Sequence, residues 1–352
     1  MQCAEPLLLE DEESGLVPEV LAEYGAITHR YLQHYLPKGE PDDYLYDLLA
    51  DYPGRGGKML RSSLCLAAAR ATGATLEDAI PTAVSIELMH NALLVHDDIE
   101  DASDERRGTP TLHALHGVPL AINAGDAMGL LSVRPLVDNF SRLGVATALR
   151  ILGETEKVAW ESTEGQAREL GWQRDNRTDL SDDDYLRMVL QKTCWLGTIH
   201  PLRTGCLIGA RGRLPLAPLI RLGFFFGAAF QIQDDLLNLE PGPDYGKEIN
   251  GDLLEGKRTL MVIHALRAAS ATDRCRLVRF LGKTRAKRSG RDVLWVRALL
   301  ERTFALGHAK TVARALAGAA LLEFDEYFKR LPMSRDLRFM RALLIWVLRR
   351  AH

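Results

Sequence analysis

Residues 83–101 read AVSIELMHNALLVHDDIED, an apolar run that ends in an acidic cluster. The spacing of the apolar residues predicts a buried helix. Asp97 and Asp101 are four residues apart, so a helix places both carboxylates on one face. Like charges at that spacing repel each other and destabilise an isolated helix, and a cation bound between them removes the repulsion. The stretch therefore predicts a buried helix with a cation site at its end.

A second cluster, Asp234-Asp235-Leu236-Leu237-Asn238, has the same spacing and follows the apolar run Leu222 to Ile232. One such cluster alone would be consistent with an acidic, solvated helix end. Two clusters that each end an apolar helix argue against that interpretation, because buried carboxylates need compensating charge. Mg²⁺ is suited to a site with only a few protein carboxylates, because it completes its coordination with water and phosphate oxygens. We therefore expect two acid clusters at the mouth of an apolar cavity, a site for an anionic head group with an apolar tail.

The bulk composition narrows the class of protein. The chain has 352 residues, of which 47% are hydrophobic, and a formal net charge of -3. This composition allows a sizeable core and argues against a general nucleic-acid-binding protein. The five cysteines form no CxxC pair, which favours a reduced, cytoplasmic environment. The N-terminus lacks the pattern of a signal peptide, and no stretch reaches the roughly 20 apolar residues of a membrane span, so no membrane insertion is expected.

Apolar residues recur at helical spacing along nearly the whole chain, and no stretch alternates as a strand does. The pattern predicts one all-α domain over residues 1–352, a helical bundle around a central apolar cavity, with residues 1–15 disordered. The predicted helices are 17–36, 58–72, 76–101, 118–138, 143–170, 182–210, 215–239, 257–270, 291–305, 309–330 and 335–350.

Basic residues recur next to the acid clusters and next to glycine turns. Arginine forks and lysine ammonium groups are the usual partners of phosphate, so their recurrence favours phosphate binding over ordinary surface charge. The candidates are Lys58, Arg61, Arg106, Arg107, Lys192, Lys247, Lys257 and Arg258. A separate basic run between Arg274 and Arg291 has two interpretations: a solvated helix face and loop, which we favour, or a contact for an anionic membrane surface or partner.

These motifs, in this order and spacing, resemble the trans-polyprenyl diphosphate synthases, the family that includes farnesyl and geranylgeranyl diphosphate synthases. The resemblance covers residues 54–260 and implies an all-α isoprenoid synthase fold. The matching motifs are Gly56-Gly57-Lys58-Met59-Leu60-Arg61, Glu87-Leu88-Met89-His90, His96-Asp97-Asp98-Ile99-Glu100-Asp101, Arg106-Arg107-Gly108, Ala121-Ile122-Asn123-Ala124-Gly125-Asp126, Gly165-Gln166, Lys192-Thr193, Phe230-Gln231-Ile232-Gln233-Asp234-Asp235, Gly246-Lys247 and Gly251-Asp252-Leu253-Leu254-Glu255-Gly256-Lys257.

The resemblance implies head-to-tail (1′-4) condensation: diphosphate leaves an allylic substrate, the double bond of isopentenyl diphosphate attacks the carbocation, and a proton is lost. It assigns three Mg²⁺ ions to Asp97, Asp98, Asp101, Asp234 and Asp235, with Asp98 and Asp235 in supporting positions. It assigns the allylic diphosphate to Arg106, Lys192, Lys247 and Lys257. It assigns isopentenyl diphosphate to Lys58, Arg61, His90 and Arg107. It implies that Lys192, Thr193 and Gln231 are catalytic residues, and that Thr193 and Gln231 stabilise the developing cation.

Three positions depart from the family pattern or refine it. Ser62 stands where proline is usual. Asn238 replaces the last aspartate of the second cluster, and since an amide binds Mg²⁺ weakly, Asn238 is not expected to be a ligand. The C-terminal Arg349 and Arg350 leave two interpretations open, a cover for the isopentenyl diphosphate site or a frayed terminus.

Product length is expected to depend on residues one turn below the first cluster. Leu93 and Ala92 stand there, where farnesyl-forming relatives place an aromatic ring, and Met89 follows one turn further along. Without that ring the growing tail passes this level, so the expected product is geranylgeranyl diphosphate. A floor contributed by another helix or by a dimer partner stays open.

Two other functions remain open. A class I terpene cyclase on the same fold would ionise a prenyl diphosphate without needing an isopentenyl diphosphate pocket, yet the four residues assigned to that pocket are present. A non-catalytic subunit that tunes a partner synthase would tend to lose aspartates, yet both aspartate pairs are intact. We therefore favour an active synthase that forms a homodimer, with helix 118–138 as the candidate interface.

Overall fold

The computed structural model describes residues 11–240 and 248–349, and helices dominate both ranges. In the first half of the chain, one turn of π-helix over Asp42–Tyr46 leads directly into the second helix. The helices of this half are α1 (Asp11–Tyr35), α2 (Asp47–Gly54), α3 (Leu60–Ala71), α4 (Leu76–Glu100), α5 (Leu112–His116), α6 (Val118–Leu131), α7 (Arg134–Leu143) and α8 (Val145–Arg174).

The second half continues as helices, and a π-helical segment, Leu190–Ile199, joins two of them without a break. The described residues also contain a two-stranded antiparallel ladder, β1 (Glu105–Arg106) with β2 (Thr109–Pro110). None of the described helices combines the length and the hydropathy that a bilayer span requires. The helices of this half are α9 (Asp182–Val189), α10 (His200–Ala210), α11 (Pro218–Leu239), α12 (Gly251–Glu255), α13 (Leu260–Ala268), α14 (Ala271–Leu281), α15 (Gly290–Arg302), α16 (Ala305–Phe328) and α17 (Arg335–Arg349).

This architecture confirms the predicted all-α helical bundle, although the start of α1 and the single helix 118–138 were predicted wrongly. Asp11 to Gly15 belong to α1 rather than to a disordered segment, and residues 1–10 lie outside the described ranges. The predicted helix 118–138 is two helices, α6 and α7. The second begins just before Pro135, a residue that cannot donate the hydrogen bond of a continuing helix.

The apolar spacing did not predict α2, α5, α12 and α14, or the β ladder. Helices α5 and α12 have five residues each, too few for a helical period to be recognised. Helix α14 lies inside the basic run, where its buried stripe of Leu277, Phe280 and Leu281 is surrounded by charged residues. The missed elements are therefore short or predominantly polar.

Helix α4 is buried on all sides from its second turn to its middle. It begins with a capping box, in which Thr75 Oγ1 accepts a hydrogen bond from Asp78 N–H at 3.3 Å and the Asp78 carboxylate accepts one from Thr75 N–H at 3.2 Å. Every side chain from Ala79 to Leu88 is buried. A helix that is buried all round must lie inside the bundle, with other elements packed on each of its faces.

Two hydrophobic cores lie on either side of α4. One contains side chains of α1, α3, α6 and α17, and the other contains side chains of the π segment, α11, α13 and α15. Helix α4 contributes to both, because Ala92 and Val95 belong to the first core whereas Met89 and Leu93 pack against the second. A cavity opens between the cores at the C-terminal end of α4.

The close approach of α8 and α11 to the π segment depends on glycine. A Cβ atom on Gly165 of α8 would lie 2.2 Å from the backbone nitrogen of Lys192, and one on Gly227 of α11 would lie 2.8 Å from the Cys194 sulfur. No side chain fits at either place. The two glycines therefore let α8 and α11 enclose the π segment, a type of helix that is often found at functional sites.

We expect Gly165→Ala to lower the free energy of unfolding by about 1–3 kcal/mol, because the added methyl group meets backbone atoms of the π segment. Gly171→Ala on the same helix is the matched control, since a Cβ atom there has no neighbour within 4 Å. The control should leave stability unchanged or raise it by up to about 1 kcal/mol. Urea denaturation of both purified variants measures the difference, and equal stabilities would contradict the close approach.

Candidate active site

The cavity has a volume of about 840 Å³ and is enclosed by α4, α8, the π segment and α11. Its wall includes every predicted substrate-binding and catalytic residue that lies in the described ranges, together with four of the five predicted metal ligands. Lys247 and Arg350 lie outside the described residues, as does the side chain of Arg349. The predicted residues that line the cavity are Lys58, Arg61, His90, Asp97, Asp101, Arg106, Arg107, Lys192, Thr193, Gln231, Asp234, Asp235 and Lys257.

Asp97 and Asp101 line the cavity at the C-terminal end of α4, and each pairs with a cation from a distant part of the chain. Lys192 Nζ lies 3.1 Å from Asp97 Oδ1. Lys257 Nζ lies 2.8 Å from Asp101 Oδ2. Arg106 Nη2 is a third cation, 3.7 Å from Asp97 Oδ2. These ion pairs compensate carboxylates whose burial would otherwise be costly.

The negative charge around Asp101 is not fully balanced by these cations. Burial works to raise the pKa of Asp97, but Lys192 and Lys257 outweigh it and hold that pKa below its usual range. Burial raises the pKa of Asp101 to about 7; Lys257 opposes the rise, and the charges of Asp97 and Glu255 add to it. Asp101 Oδ1 is also buried without a hydrogen-bond partner. A hard divalent cation at this carboxylate would satisfy the oxygen and offset the charge, so the donors fit Mg²⁺.

The acidic side chains do not form a complete coordination shell by themselves. Within the described ranges, no three histidine, cysteine or acidic side chains converge on one point as a metal site. Asn238 adds no free ligand here, because its Oδ1 accepts a hydrogen bond from Asp252 N–H at 3.1 Å, in line with its expected exclusion from the metal ligands. A cation held by these carboxylates would therefore need further oxygen ligands from water or from a bound phosphate.

Asp98 does not line the cavity, so it is not placed as a direct metal ligand, and its contacts fit the supporting position that the resemblance implies. Its side chain is completely buried and does not line the cavity. Arg106 Nε and Nη2 donate to its carboxylate at 2.6–2.8 Å, and Tyr52 O–H donates to Oδ2 at 2.5 Å. Burial works to lower the pKa of Arg106, but Asp98 outweighs it and raises that pKa. Asp98 therefore positions Arg106 and keeps it charged.

The β1–β2 hairpin holds Arg107 against the Gly56-Gly57 turn. Arg107 and Gly108 both have positive φ angles, 56° and 71°, which turn the chain sharply. Arg107 Nη1 donates a hydrogen bond to the carbonyl oxygen of Gly56. A Cβ atom on Gly57 would lie 2.8 Å from Arg107 Nη2, so only glycine leaves room for the guanidinium group. Two motifs that are far apart in sequence thus form one wall of the cavity.

Asp235, the second aspartate of the α11 cluster, is held by protein donors. Tyr185 O–H and Gln231 Nε2 each donate to the Asp235 carboxylate at 2.7 Å. Burial raises the pKa of Asp235 to about 7, although these two hydrogen bonds oppose the rise. These contacts fit the supporting position that the resemblance implies for Asp235, and Asp234, which lines the cavity, stays the candidate metal ligand on α11.

Of the three predicted catalytic residues, Thr193 and Gln231 meet between the π segment and α11, whereas Lys192 contacts α4 and α8. Thr193 Oγ1 donates to Gln231 Oε1 at 3.0 Å. Lys192 Nζ contacts the first cluster and also lies 2.5 Å from Glu169 Oε2 on α8. Glu169 is buried, and Lys192 lowers its pKa although burial opposes the shift. The sequence analysis missed Glu169, although its position four residues after Gly165 places it on the helix face that meets the π segment.

Lys58, Arg61, His90 and Arg107 form a second basic group in the cavity wall. Burial lowers the pKa of His90 well below its usual value, and the charges of Arg61 and Arg107 lower it further. His90 is therefore a neutral hydrogen-bonding group at neutral pH. Lys58 Nζ lies 5.1 Å from the ring centre of Trp346, a cation–π contact that brings α17 to the edge of the cavity.

Ser62, the residue that replaces proline, makes a hydrogen bond that proline could not. Its backbone N–H donates to Glu87 Oε1 at 3.1 Å, and proline has no N–H group. Glu87 is buried on α4 and lines the cavity. The substitution therefore ties α3 to α4 beside the second basic group.

The three residues predicted to limit chain length point to different sides of α4. Leu93 lines the cavity, and Met89 packs against the same core one turn below it. Ala92 does not line the cavity; it is buried against α6, where a Cβ atom on Gly129 would lie 3.9 Å from its methyl group. Adjacent residues on a helix differ by about 100° in direction, which explains why the predicted role fits Leu93 and not Ala92.

A family model described as polyprenyl synthetase matches residues 42–294. The chain is 36% identical over 261 residues to a short chain isoprenyl diphosphate synthase of Methanothermobacter thermautotrophicus, which covers 73% of this chain and 77% of that protein. It is 34% identical over 255 residues to a geranylgeranyl pyrophosphate synthase of Geoglobus acetivorans, and the match covers 71% of this chain and 76% of that protein. Among solved structures, geranylgeranyl pyrophosphate synthetase from Pyrococcus horikoshii superposes with a TM-score of 0.82 at 29% identity, covering 96% of this chain and 99% of that chain.

Proposed function

Since the chain belongs to the polyprenyl synthetase family and is a trans-prenyltransferase, we propose that it condenses isopentenyl diphosphate with allylic diphosphates to make geranylgeranyl diphosphate. One observation carries the proposal. A single cavity presents two groups of basic side chains, one beside the aspartate clusters and the other beside the Gly56-Gly57 turn. Each group suits one diphosphate, so two groups fit a reaction between two diphosphates.

The residues beside the first cluster would hold the allylic diphosphate. Asp98 positions Arg106, and Glu169 positions Lys192. Neighbouring carboxylates raise the pKa of Lys192 although burial opposes the shift, so this lysine stays charged. Preorganised cations favour departure of the diphosphate because they stabilise the negative charge that develops on it. Mg²⁺, when bound, adds positive charge for the same purpose.

Thr193 and Gln231 would face the positive charge left on the allylic carbon. The hydroxyl proton of Thr193 is directed at Gln231 Oε1, so the lone pairs of the Thr193 oxygen remain available to the cation. The second basic group, with neutral His90, would hold isopentenyl diphosphate so that its double bond reaches that carbon. The proton lost after bond formation would pass to the departed diphosphate.

We propose Mg²⁺ as the cofactor, with Asp97, Asp101 and Asp234 as its ligands. The family resemblance implies three ions, two at the α4 carboxylates and one at α11. The unsatisfied Oδ1 of Asp101 and the raised pKa of that residue support this assignment. Asp98 and Asp235 do not serve as ligands in this proposal; they accept hydrogen bonds from Arg106 and Gln231 and so position those side chains.

The geranylgeranyl product rests on the apolar wall below the first cluster. Leu93 faces the cavity at the level where an aromatic ring would stop a farnesyl chain, and Met89 follows below it. Neither side chain is a rigid ring that spans the cavity. The tail is therefore expected to extend one isoprene unit, about one helical turn, beyond the farnesyl length.

The alternatives are not favoured. A terpene cyclase would leave the second basic group without a substrate, yet Lys58, Arg61, His90 and Arg107 all line the cavity. A non-catalytic subunit would have no need for intact aspartates, yet Asp97, Asp101 and Asp234 all line it as well. A hydrocarbon product from geranylgeranyl diphosphate alone would favour the cyclase.

We propose a homodimer that forms through α6, α7 and α8. More than half of the exposed large apolar side chains of the described residues lie between Leu115 and Trp160. Leu130 is 77% exposed and Trp160 is 62% exposed. An apolar patch of this kind marks an interaction surface, and a two-fold contact would bury it. Sedimentation equilibrium should give the mass of two chains, and the mass of one chain at micromolar concentration would refute the proposal.

A cytoplasmic location is also proposed. The described cysteines, Cys65, Cys194, Cys206 and Cys275, are all free thiols. Free thiols suit a protein that is kept in reducing surroundings. Recovery of the protein only with washed membranes after cell fractionation would contradict this location.

Purified protein given Mg²⁺, isopentenyl diphosphate and dimethylallyl diphosphate should release geranylgeranyl diphosphate as its main product. Leu93→Phe should shorten the product to farnesyl diphosphate, because a ring at that level blocks the tail. Ala92→Phe is the matched variant: its ring points at α6, so it should lower the free energy of unfolding by about 1–3 kcal/mol without the same shortening. Chromatography of the dephosphorylated products measures the lengths. If the unmodified chain made only farnesyl diphosphate, the proposed geranylgeranyl product would be refuted.

Asp97→Ala should abolish turnover while the chain stays folded, because it removes a carboxylate that faces the cavity. Asp98→Ala should instead lower the free energy of unfolding by about 3–5 kcal/mol, because Arg106 loses its buried partner. Turnover assays and urea denaturation of both variants separate the two roles. Retained Mg²⁺-dependent turnover in Asp97→Ala would refute the metal assignment.

A further inference from the structure

The basic run between Arg274 and Arg291, which the proposed function leaves unused, divides into two groups. Most of its side chains are exposed, as predicted for a solvated face: Arg274, Arg276, Arg279, Lys287 and Arg291. Arg285 and Arg288 point inward instead, toward residues 248–257, which we call the active-site segment because it contributes to the cavity wall. Two residues of the run therefore contact the segment that carries Lys257.

Arg288 fixes the backbone of the active-site segment. Its Nη1 donates to the carbonyl oxygen of Leu254 at 2.6 Å, and its Nη2 donates to that of Leu281 at 2.9 Å. A Cβ atom on Gly256 would lie 2.3 Å from the Arg288 guanidinium group, and Gly256 has a φ of +76°. Glycine is required here both by the turn and by the arginine. Arg288 is thus a structural anchor beneath the segment.

Arg285 contacts the acidic side chains of the same segment. Its Nη2 lies 2.5 Å from Glu248 Oε2, and its Nη1 lies 3.5 Å from Glu255 Oε1. Glu255 Oε2 is 2.7 Å from Lys257 Nζ, which in turn is 2.8 Å from Asp101 Oδ2. Side chains of alternating charge, Arg285, Glu255, Lys257 and Asp101, therefore connect the basic run to the first aspartate cluster.

The Glu255 side chain is only 9% exposed, so its charge must be compensated within the protein. Two cations share it, Arg285 on one side and Lys257 on the other. Without Arg285, Lys257 is the cation left at Glu255, and the attraction between the two strengthens at low local dielectric. The ammonium group of Lys257 is then held by Glu255 and is less available to a ligand in the cavity.

We propose that Arg285 is a positioning residue that acts through Glu255 on Lys257 and thereby sets the affinity for the allylic diphosphate. The inference rests on the proposed function, in which Lys257 holds that substrate. Arg285 does not itself contact the substrate site, since it does not line the cavity. Its effect is therefore confined to the substrate that Lys257 binds.

Arg285→Met removes the charge and keeps the length of the side chain. The KM for the allylic diphosphate should rise about tenfold, similar to the lower end of the effect on affinity or activity when a residue that orients a metal ligand is lost. The KM for isopentenyl diphosphate should stay unchanged, because Lys58, Arg61 and Arg107 belong to a different group. Arg285→Lys restores one positive charge and should recover most of the loss. Arg291→Met, on the exposed part of the same run, is the control and should match the unmodified chain.

Hydrogen exchange tests the same contact without substrate. The backbone amides of residues 248–257 should exchange faster in Arg285→Met than in Arg291→Met, because the ion pairs hold the segment in place. Glu248→Gln covers the case in which Arg285→Met fails to fold, since the Glu248 side chain is 44% exposed and tolerates substitution. Glu248 holds the Arg285 guanidinium group beside Glu255, so its loss should displace Arg285 and raise the KM for the allylic diphosphate in the same direction as Arg285→Met.

Equal KM values for the allylic diphosphate in Arg285→Met and Arg291→Met would overturn the inference and leave the proposed function standing. A similar rise of both KM values, together with a lower unfolding temperature, would also overturn it, because that pattern indicates a general loss of structure. Absence of prenyl transfer in the unmodified chain would refute the proposed function instead. The exchange rates would then still decide whether Arg285 holds the active-site segment.

Discussion

Three aspartates at the end of one apolar helix have to be compensated by cations that three different elements supply. Asp97 pairs with Lys192 of the π segment, Asp98 with Arg106 of the hairpin, and Asp101 with Lys257 ahead of α13. A buried carboxylate without a partner is costly. The positions of the π segment, the hairpin and the active-site segment around α4 therefore follow from the need to bring these cations to the aspartates.

Each of these cations is held by a carboxylate that lies behind it, which for Arg106 is Asp98 itself, with Asp97 on the cavity side. Glu169 holds Lys192, Asp98 holds Arg106 and Glu255 holds Lys257. In the proposed function, the rear carboxylates keep the cations charged while the cations exchange their contacts with Asp97 and Asp101 for contacts with a diphosphate. At Lys257, Arg285 shares Glu255 and so limits how tightly that carboxylate holds the ammonium group. Such preorganisation means that little reorganisation is required when charge develops on the ligand.

Close packing of helices shapes the inner part of the cavity, whereas the ion pairs described above lie at its opening. Gly165 and Gly227 allow α8 and α11 to close on the π segment, which brings Thr193 within hydrogen-bonding distance of Gln231. On α4, Leu93 faces this enclosed space while its neighbour Ala92 packs against α6. One face of α4 therefore lines the cavity, where the proposed function places the apolar tail, and the other face packs within the bundle.

The sequence by itself determined the all-α class, the range of α4 to within one residue and the two acid clusters, because helical period and i, i+4 spacing are local properties. Only the tertiary structure decided which aspartates face the cavity: Asp97 does, whereas Asp98 is turned by about 100° into the protein. It also placed Glu169 behind Lys192 and Arg285 behind Glu255. Those contacts join segments that are distant along the chain, and no local pattern of residues encodes which of the many charged side chains will meet.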